Sequence, residues 1–331
     1  MSERSTVVQT VQVGPESVYG TAVAATVKLQ AATFDFSGEG SVDVFRPSGN
    51  KYPTVGAQGK EWASARAGGR ATYTELGYLL AMNVAEPVIA QIGVTAAYSW
   101  EFTPLPETED TLTSFTLEQG SALRAHRFAG CLLPDFGYNL TRDRFELTGR
   151  ALATAISDGF TLTGALSPLA LIPILPKQCS IYADASAGAI GGTKLTRVLR
   201  VEWANNNRFG PHWVIDSSQS SYAAVVETEP AATLRLIMQA NSVGMGYLTQ
   251  FRAGTKVFLQ IKAIGGVVDG AEVYTLIHNV CGIISEPWRF QDEEGVWCVA
   301  WNFRAVDDDT LTYPYYFKLI NALTEIVGAG S

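Results

Sequence analysis

The residue types that most often perform catalysis are few in this sequence, and their spacing forms no catalytic set. His126 lies five residues before Cys131 in a strand-like segment, and five residues along a strand place two side chains on opposite faces. The glycine-rich run at 188–194, GAIGGTK, lacks the phosphate-binding pattern and precedes a strand, so it predicts a turn. The serine-hydrolase motif G-x-S-x-G does not occur. These patterns argue against an enzyme.

The acidic clusters and the other histidines favour structural roles over metal binding. Asp307–Asp309 is typical of a turn that ends a strand, and 291–295 is typical of a hairpin turn in which Gly295 supplies a positive φ. His212 is expected to make an aromatic contact in a loop, and His278 is expected to be a core residue. Because no ligand set has metal-site spacing, we expect neither a metal nor an organic cofactor.

Composition excludes several classes of function. The chain has 331 residues, of which 17% are charged, well below the roughly 25% of an average soluble domain. Its net charge is −8 with 24 basic residues, which does not suit a nucleic-acid clamp. The start, MSERSTVVQTVQVG, has no apolar signal segment, and the longest apolar run, Leu166–Leu175, is too short to span a membrane. No membrane insertion is expected.

The cysteines lack C-x-x-C spacing and lie in apolar, strand-like runs. They are therefore expected to be reduced core residues rather than disulfide or metal ligands. Their positions are Cys131, Cys179, Cys281 and Cys298.

The chain contains an internal repeat at a separation near 150 residues. Cys131 and Cys281 occupy matching places in two segments that each read as a strand, a Pro-plus-aromatic break, a charged turn and an alternating strand. Three pairs of segments match in the same order: 126–151 with 277–305, 75–84 with 233–243, and 34–37 with 199–202. This order predicts a duplicated domain.

Each half begins with an alternating strand, at 33–45 and at 194–204, followed by a long polar loop, at 46–65 and at 205–221. A helix is predicted next in each half. The first has the apolar stripe Leu76, Leu79, Leu80 and Asn83, and the second has Leu234, Ile237, Met238 and Asn241. Further strands close the halves, at 98–102, 112–118 and 145–151, then at 257–263, 274–284 and 296–305.

These elements predict a mainly β protein with two tandem β-sandwich domains, each with one flanking α-helix and one long loop. The predicted boundaries are an N-terminal arm at 1–30, a first domain at 31–166, a Pro-rich connector at 167–177, a second domain at 178–310, and a C-terminal arm at 311–331 with a helix over 317–327.

Two segments resemble a known family. The run at 14–29, GPESVYGTAVAATVKL, is similar to the opening of phage tail tube proteins, and 289–307, RFQDEEGVWCVAWNFRAVD, is similar to their closing hairpin. With the order of elements, the resemblance covers about residues 14 to 310. It implies a virion protein, made in the host cytoplasm, whose β-sandwich domains form sixfold rings with a continuous inner barrel. The rings stack, and a long loop reaches the neighbouring ring.

The resemblance also implies partners and a stoichiometry. Viral DNA would pass through the tube during genome ejection without specific binding, and the tube would contact tape measure, tail tip and tail terminator proteins. Because this chain is duplicated, three copies would give a pseudo-sixfold ring, with six single copies as the usual alternative.

Within this framework, acidic residues on polar strand faces are candidates for the lumen: Asp35, Glu39, Glu118 and Glu202. An outer solvated face is the alternative, and Arg200 beside Glu202 argues against a uniformly acidic wall. The aromatic residues of the long loops are candidates for ring stacking, although they could pack on their own domains: Tyr52, Trp62, Phe209 and Trp213. Opposite charges in the two matching turns are candidates for contacts between unlike halves: Arg142 and Arg144 against Glu293 and Glu294.

Two other classes remain open at the level of sequence. One is a different virion β-protein, such as a tail terminator, a baseplate component or a capsid decoration protein. The other is a β-sandwich module that binds a carbohydrate or another ligand, for which an exposed aromatic groove and monomeric behaviour are expected.

Overall fold

The computed structural model describes residues 9–121, 124–216 and 218–326, and within them the chain is mainly β. The strands are β1 (Thr10–Pro15), β2 (Val27–Leu29), β3 (Ala32–Phe45), β4 (Val55–Arg70), β5 (Val88–Gln91), β6 (Tyr98–Phe102), β7 (Phe115–Ser121), β8 (Arg124–Thr141), β9 (Phe145–Ala153), β10 (Ala155–Phe160), β11 (Cys179–Asp184), β12 (Val198–Asn206), β13 (Phe209–His212), β14 (Ala224–Glu227), β15 (Ala231–Gln239), β16 (Val257–Asp269), β17 (Glu272–Ile284), β18 (Arg289–Glu293), β19 (Val296–Ala305) and β20 (Tyr315–Asn321). The α-helices are α1 (Leu76–Asn83) and α2 (Ser242–Ala253).

Five strand pairings of the first half have counterparts in the second. In the covering sheets, β1–β7 corresponds to β11–β16, β7–β8 to β16–β17, and β8–β10 to β17–β20. In the other sheet, β4–β9 corresponds to β15–β19, and β3–β4 to β12–β15. The matched cysteines occupy equivalent register positions, because Cys131 lies opposite Phe115 and Cys281 lies opposite Phe258.

One sheet, here called the long sheet, runs through both halves. Its strand order is β3-β4-β9-β8 from the first half, then β12-β15-β19-β18 from the second. The halves meet where β12 pairs with the C-terminal part of β8, with Trp203 opposite Tyr138. The two halves therefore form one continuous sheet rather than two separate sandwiches.

Two further sheets cover the long sheet and bury its apolar face. The first contains β1, β2, β7, the N-terminal part of β8, and β10. The second contains β11, β16, β17 and β20, and it is extended by β6 and β5 from the first half. Phe34, Leu236 and Trp301 of the long sheet and Leu117 and Leu259 of the covering sheets belong to one buried core.

Helix α1 is buried along its whole length, as its apolar sequence LGYLLAMN requires, because a helix that is apolar on every side has no face for solvent. It ends at Asn83, which joins the halves. The Asn83 amide donates to the Leu133 carbonyl (2.7 Å), and its oxygen accepts from the Asn205 amide of the second half (2.9 Å).

The second predicted helix was placed wrongly. Residues 231–239 form strand β15, because Leu234, Leu236 and Met238 alternate towards the core with a period of two. The helix follows it, and Asn241 is its N-cap, whose side chain accepts hydrogen bonds from the amides of Val243 and Gly244. The match of 75–84 with 233–243 therefore paired a helix with a strand.

The predicted arms and the first predicted loop also need correction. Within the N-terminal segment, β1 and β2 belong to the first covering sheet, and residues 1–8 lie outside the described part. The segment predicted as a C-terminal helix is strand β20 over its first part, where it pairs with β17 and β6; residues 327–331 lie outside the described part. Much of the predicted loop at 46–65 is strand β4, so β3 and β4 form one long hairpin.

Candidate assembly surfaces

The face of the long sheet that points away from the apolar core carries positive and negative side chains close to one another. Asp35 lies opposite Arg66, Arg66 opposite Arg150, and Arg150 opposite Asp135, so four neighbouring strands carry one row of charges. The Arg150 Nε donates to the Asp135 carboxylate at 2.7 Å. Asp35, the first lumen candidate, is exposed on this face beside an arginine.

Glu202 lies on the same face and is enclosed by arginines. Its carboxylate oxygens lie 3.3 Å from Arg200 and 3.2 Å from Arg235, and Arg200 also pairs with Glu293. Glu39 accepts hydrogen bonds from the hydroxyls of Ser64 and Ser37, which lower the pKa of Glu39. The face is therefore balanced in charge rather than uniformly acidic.

Glu118 does not face solvent, so its assignment to a lumen was wrong. The residue is fully buried in β7 and accepts hydrogen bonds from the amides of Ala25 (3.3 Å) and Thr163 (2.8 Å) and from Arg127 (3.1 Å). Alternation along β7 predicted a polar, solvent-facing position, but the segments that carry Ala25 and Thr163 cover it. A buried carboxylate with these donors is a structural group.

The β3–β4 hairpin projects from the molecule. Every residue from 40 to 60 is exposed, although the two strands stay paired as far as Phe45 opposite Val55. Tyr52, the first stacking candidate, is 69% exposed in its turn. Its neighbours on the hairpin form an apolar surface of exposed side chains: Val42, Val44, Phe45 and Val55. Such a surface is typical of a contact with another chain.

The other stacking candidates pack within their own chain. Trp62 and Trp213 meet edge-on with ring centroids 5.4 Å apart, and Trp213 also contacts the buried ring of Tyr222. Phe209 is buried in β13. The long connection of the second half is thus anchored to the molecule at Trp213, although Val214 and Ile215 beside it are exposed.

The two matching turns border one groove. Arg142 and Arg144 of the first half and Glu293 and Glu294 of the second line an open groove of about 710 Å³. Within the described residues the opposite charges form no ion pair across it, because Arg144 pairs with Glu146. The predicted contact between unlike halves through these charges stays a prediction.

Both ends of the long sheet are open. Among the described strands, β3 pairs with β4 alone and β18 pairs with β19 alone, so each presents one unpaired backbone edge. Next to the β18 edge, Phe290 and Trp297 stack on each other with centroids 4.8 Å apart and remain 47% and 62% exposed. No sequence pattern predicts this pair, although both rings flank the acidic turn at 291–295.

The residues considered for catalysis take structural roles. His126 is exposed and bonded to Asp158, whereas Cys131 is buried, so they form no pair. The Asp184 carboxylate accepts the amides of Gly192 (3.1 Å) and Thr193 (2.9 Å), so these amides of the glycine-rich run hold a carboxylate of the same chain.

All four cysteines are free thiols, and Cys179 alone is only partly buried. In the part of the chain that the structure describes, no group of three or more His, Cys, Asp or Glu residues is placed to hold a metal ion. Neither described helix has the length and apolar character needed to cross a membrane. No protein-family model matches the chain, and no curated protein matches it.

His278 lies at the junction of the halves and gives a test by pH. Its ring stacks on Phe317 at 3.9 Å, its Nδ1 lies 2.7 Å from the Tyr138 hydroxyl, and its Nε2 has no hydrogen-bond partner among the described residues. Burial lowers the pKa of His278 well below its ordinary value, so the folded state keeps the ring neutral. The unfolded chain binds a proton there below about pH 6.5, which favours unfolding.

We expect His278→Phe to reduce the loss of stability on acidification. Below about pH 6.5 the wild-type histidine contributes a loss of up to about 1.4 kcal/mol per pH unit, which the variant lacks. Urea unfolding at pH 7.5, 6.0 and 5.0 measures the free energy of unfolding of the wild type and the variant. His212→Phe is the matched control, because that ring is exposed and has no ion pair among the described residues. Equal losses in wild type and His278→Phe would contradict the prediction.

Proposed function

We propose that the chain is the tail tube subunit of a long-tailed phage, and that three copies form a ring that stacks into a conduit for viral DNA. The observation that carries the proposal is the long sheet, to which each half supplies four strands in the same order and which ends in two open edges. Open sheet edges favour association, and closure into a barrel removes them.

The size of such a barrel supports the proposal. Three copies would bring about 24 strands, each about 4.8 Å from the next and tilted by about 40°. These values give a backbone diameter of about 48 Å, which leaves a passage for a DNA double helix after the side chains are included. The internal β8–β12 junction supplies a pattern for the contacts between chains.

The paired charges suit passage without binding. In a closed barrel the apolar face of the long sheet stays covered, and its charged face lines the passage. Arginines would hold DNA phosphates if they were free, but Arg150, Arg200 and Arg235 already face carboxylates of the same sheet. The proposal includes contacts with tape measure, tail tip and tail terminator proteins, a place in the virion, and synthesis in the host cytoplasm.

Electron microscopy of negatively stained protein tests the proposal. Over a series of increasing concentrations we expect rings with a central hole and three copies per ring, and then stacks of these rings. Monomers at every concentration, both with and without purified tail tips as nuclei, would contradict the proposal. A ring of six chains would contradict the stoichiometry alone.

A further inference from the structure

In each half, a ring on the first strand of the long sheet contacts a ring on a covering sheet. In the first half, Phe36 stacks on Phe128 with centroids 3.8 Å apart. In the second, Trp203 meets His278 edge-on at 4.6 Å. Phe128 and His278 each lie three residues before the repeat cysteine of their half. The two pairs therefore occupy equivalent positions and are called here the receiving pairs.

Each half also has a second aromatic pair, on the hairpin formed by the last two strands that the half contributes to the long sheet. Tyr138 and Phe145 are diagonal neighbours on β8 and β9, with centroids 4.9 Å apart. Phe290 and Trp297 are diagonal neighbours on β18 and β19, at 4.8 Å. These are called the docking pairs. They differ in exposure: the first is nearly fully buried and the second is about half exposed.

The contact that buries the first docking pair is the junction of the halves. Tyr138 lies opposite Trp203 in the β8–β12 register, and its hydroxyl is 2.7 Å from the Nδ1 of His278. The docking pair of the first half thus packs on the receiving pair of the second. Among the residues that the structure describes, the receiving pair of the first half has no such neighbour, and Phe36 stays partly exposed.

We propose that the docking pair Phe290 and Trp297 binds the receiving pair Phe36 and Phe128 of a second copy of this chain. In this contact β18 adds to the open edge of β3 in the register of the internal junction. The inference rests on the proposed function, in which it is the contact that closes the ring. The contact is head-to-tail, because the two surfaces differ, and its repetition generates a ring when the rotation between copies closes.

The β3 edge has room for the incoming rings. A hollow of about 290 Å³ lies beside β3, and Phe36, Phe128, His126 and Gln119 are among its lining residues. The Gln119 side-chain amide donates to the carbonyl of Phe34 at 2.7 Å. That edge carbonyl is therefore satisfied in the free chain by a side chain, which can give way to a backbone donor.

The internal junction fixes the register of the contact. Trp203 lies opposite Tyr138 and Arg200 lies opposite Thr141. The equivalent pairs place Phe36 opposite Phe290, and Thr33 opposite Glu293 of the next chain. Thr33 and Glu293 lie on the charged face of the sheet, and Glu293→Cys, which removes the ion pair with Arg200, is common to the test variant and its control.

Cysteine crosslinking tests this register. In a Cys179→Ser background, which removes the one native thiol that is not buried, Thr33→Cys with Glu293→Cys should crosslink under mild oxidation into covalent trimers on a non-reducing gel. Ser37→Cys with Glu293→Cys is the out-of-register control and should stay largely monomeric. Covalent dimers from Glu293→Cys alone would overturn the proposal, because they would show β18 paired with β18.

A second pair of variants tests the aromatic contact. Phe290→Ser with Trp297→Ser should raise the concentration at which rings form by about 100-fold or more, because buried aromatic anchors dominate interface energies. Val94→Ser removes a fully exposed apolar side chain elsewhere and should leave ring formation unchanged. Unaltered thermal unfolding checks the fold of each variant.

The outcomes separate the two proposals. If the Phe290→Ser, Trp297→Ser variant forms rings at the same concentration as the wild type, this contact is overturned and the tube function is not. In-register crosslinks in the Thr33→Cys and Glu293→Cys variant, with only closed single rings from the wild-type chain even when tail tips are present, would support this contact and contradict the tube function.

Discussion

Shortening the β3–β4 hairpin should give rings that do not stack. Replacing residues 41–60 by Asn-Gly joins Gly40 to Glu61, which lie directly opposite each other, through a two-residue turn that suits paired strands. The replacement removes only exposed residues, so the fold should be kept. It also removes the exposed apolar surface of the hairpin, and with it the apolar area available to a neighbouring ring.

The effect should be nearly complete because each chain projects one hairpin. The equivalent connection of the second half is anchored through the Trp62–Trp213 contact, and its exposed residues Val214 and Ile215 are not part of a paired hairpin like β3–β4. A ring of three chains would therefore lose all its projecting contacts at once. Tube length measured by electron microscopy, together with ring content measured by sedimentation, separates the two stages of assembly.

Two point variants sharpen the test. Phe45→Ser with Tyr52→Ser leaves the hairpin in place and should still shorten tubes severely. Val94→Ser is the matched control, because Val94 is fully exposed in a different turn and its loss should leave tubes unchanged. Tubes of normal length from the shortened hairpin would contradict a stacking role.

The parts of the fold that sequence predicts well are those with a simple period. The alternation at 98–102 and 296–305 matches β6 and β19 in both bounds. The repeat cysteines were matched correctly because each is a small buried residue opposite a phenylalanine. The stripe that ends at Asn83 was interpreted correctly as a helix, although the helix is buried on every side.

Other features depend on contacts that no local pattern contains. The spacing of Leu234, Ile237 and Met238 fits a helix, but the segment is a central strand, in which Leu234 and Met238 face the core and Ile237 is buried in a small cluster on the opposite face. Glu118 is polar in an alternating strand, yet distant segments cover it. The exposure of Phe290 could not be predicted, because the equivalent Tyr138 is buried by the other half of the chain.

Arg208→Met should lower the free energy of unfolding by about 3–5 kcal/mol, the usual cost of breaking a buried ion pair. Arg208 is 2% exposed and forms ion pairs with Asp110 and Glu227. It also donates to the carbonyls of Asn83 (3.3 Å) and Val84 (3.1 Å) at the end of α1, where a positive charge complements the helix dipole. One side chain thus joins the first half to the β13–β14 connection.

The loss of stability caused by Arg208→Met should depend on pH in a defined direction. Burial raises the pKa of Asp110, although the Leu105 amide and Arg208 act in the opposite sense. Without the guanidinium the pKa of Asp110 rises further. At a pH below that pKa the Asp110 carboxyl is neutral in the folded variant, which then has no unpaired buried charge at this position. We therefore expect a larger difference between variant and wild type at pH 7.5 than at pH 5.

Arg304→Met is the control for a lost arginine. Its ion pair with Glu229 is exposed, so its removal should cost less than about 1 kcal/mol. Replacing Arg208, Asp110 and Glu227 together by Met, Leu and Leu should recover much of the stability, because no buried charge is then left without a partner. Urea unfolding measures all three proteins. A cost for Arg208→Met no greater than that for Arg304→Met would show that the buried cluster does not join the two halves energetically.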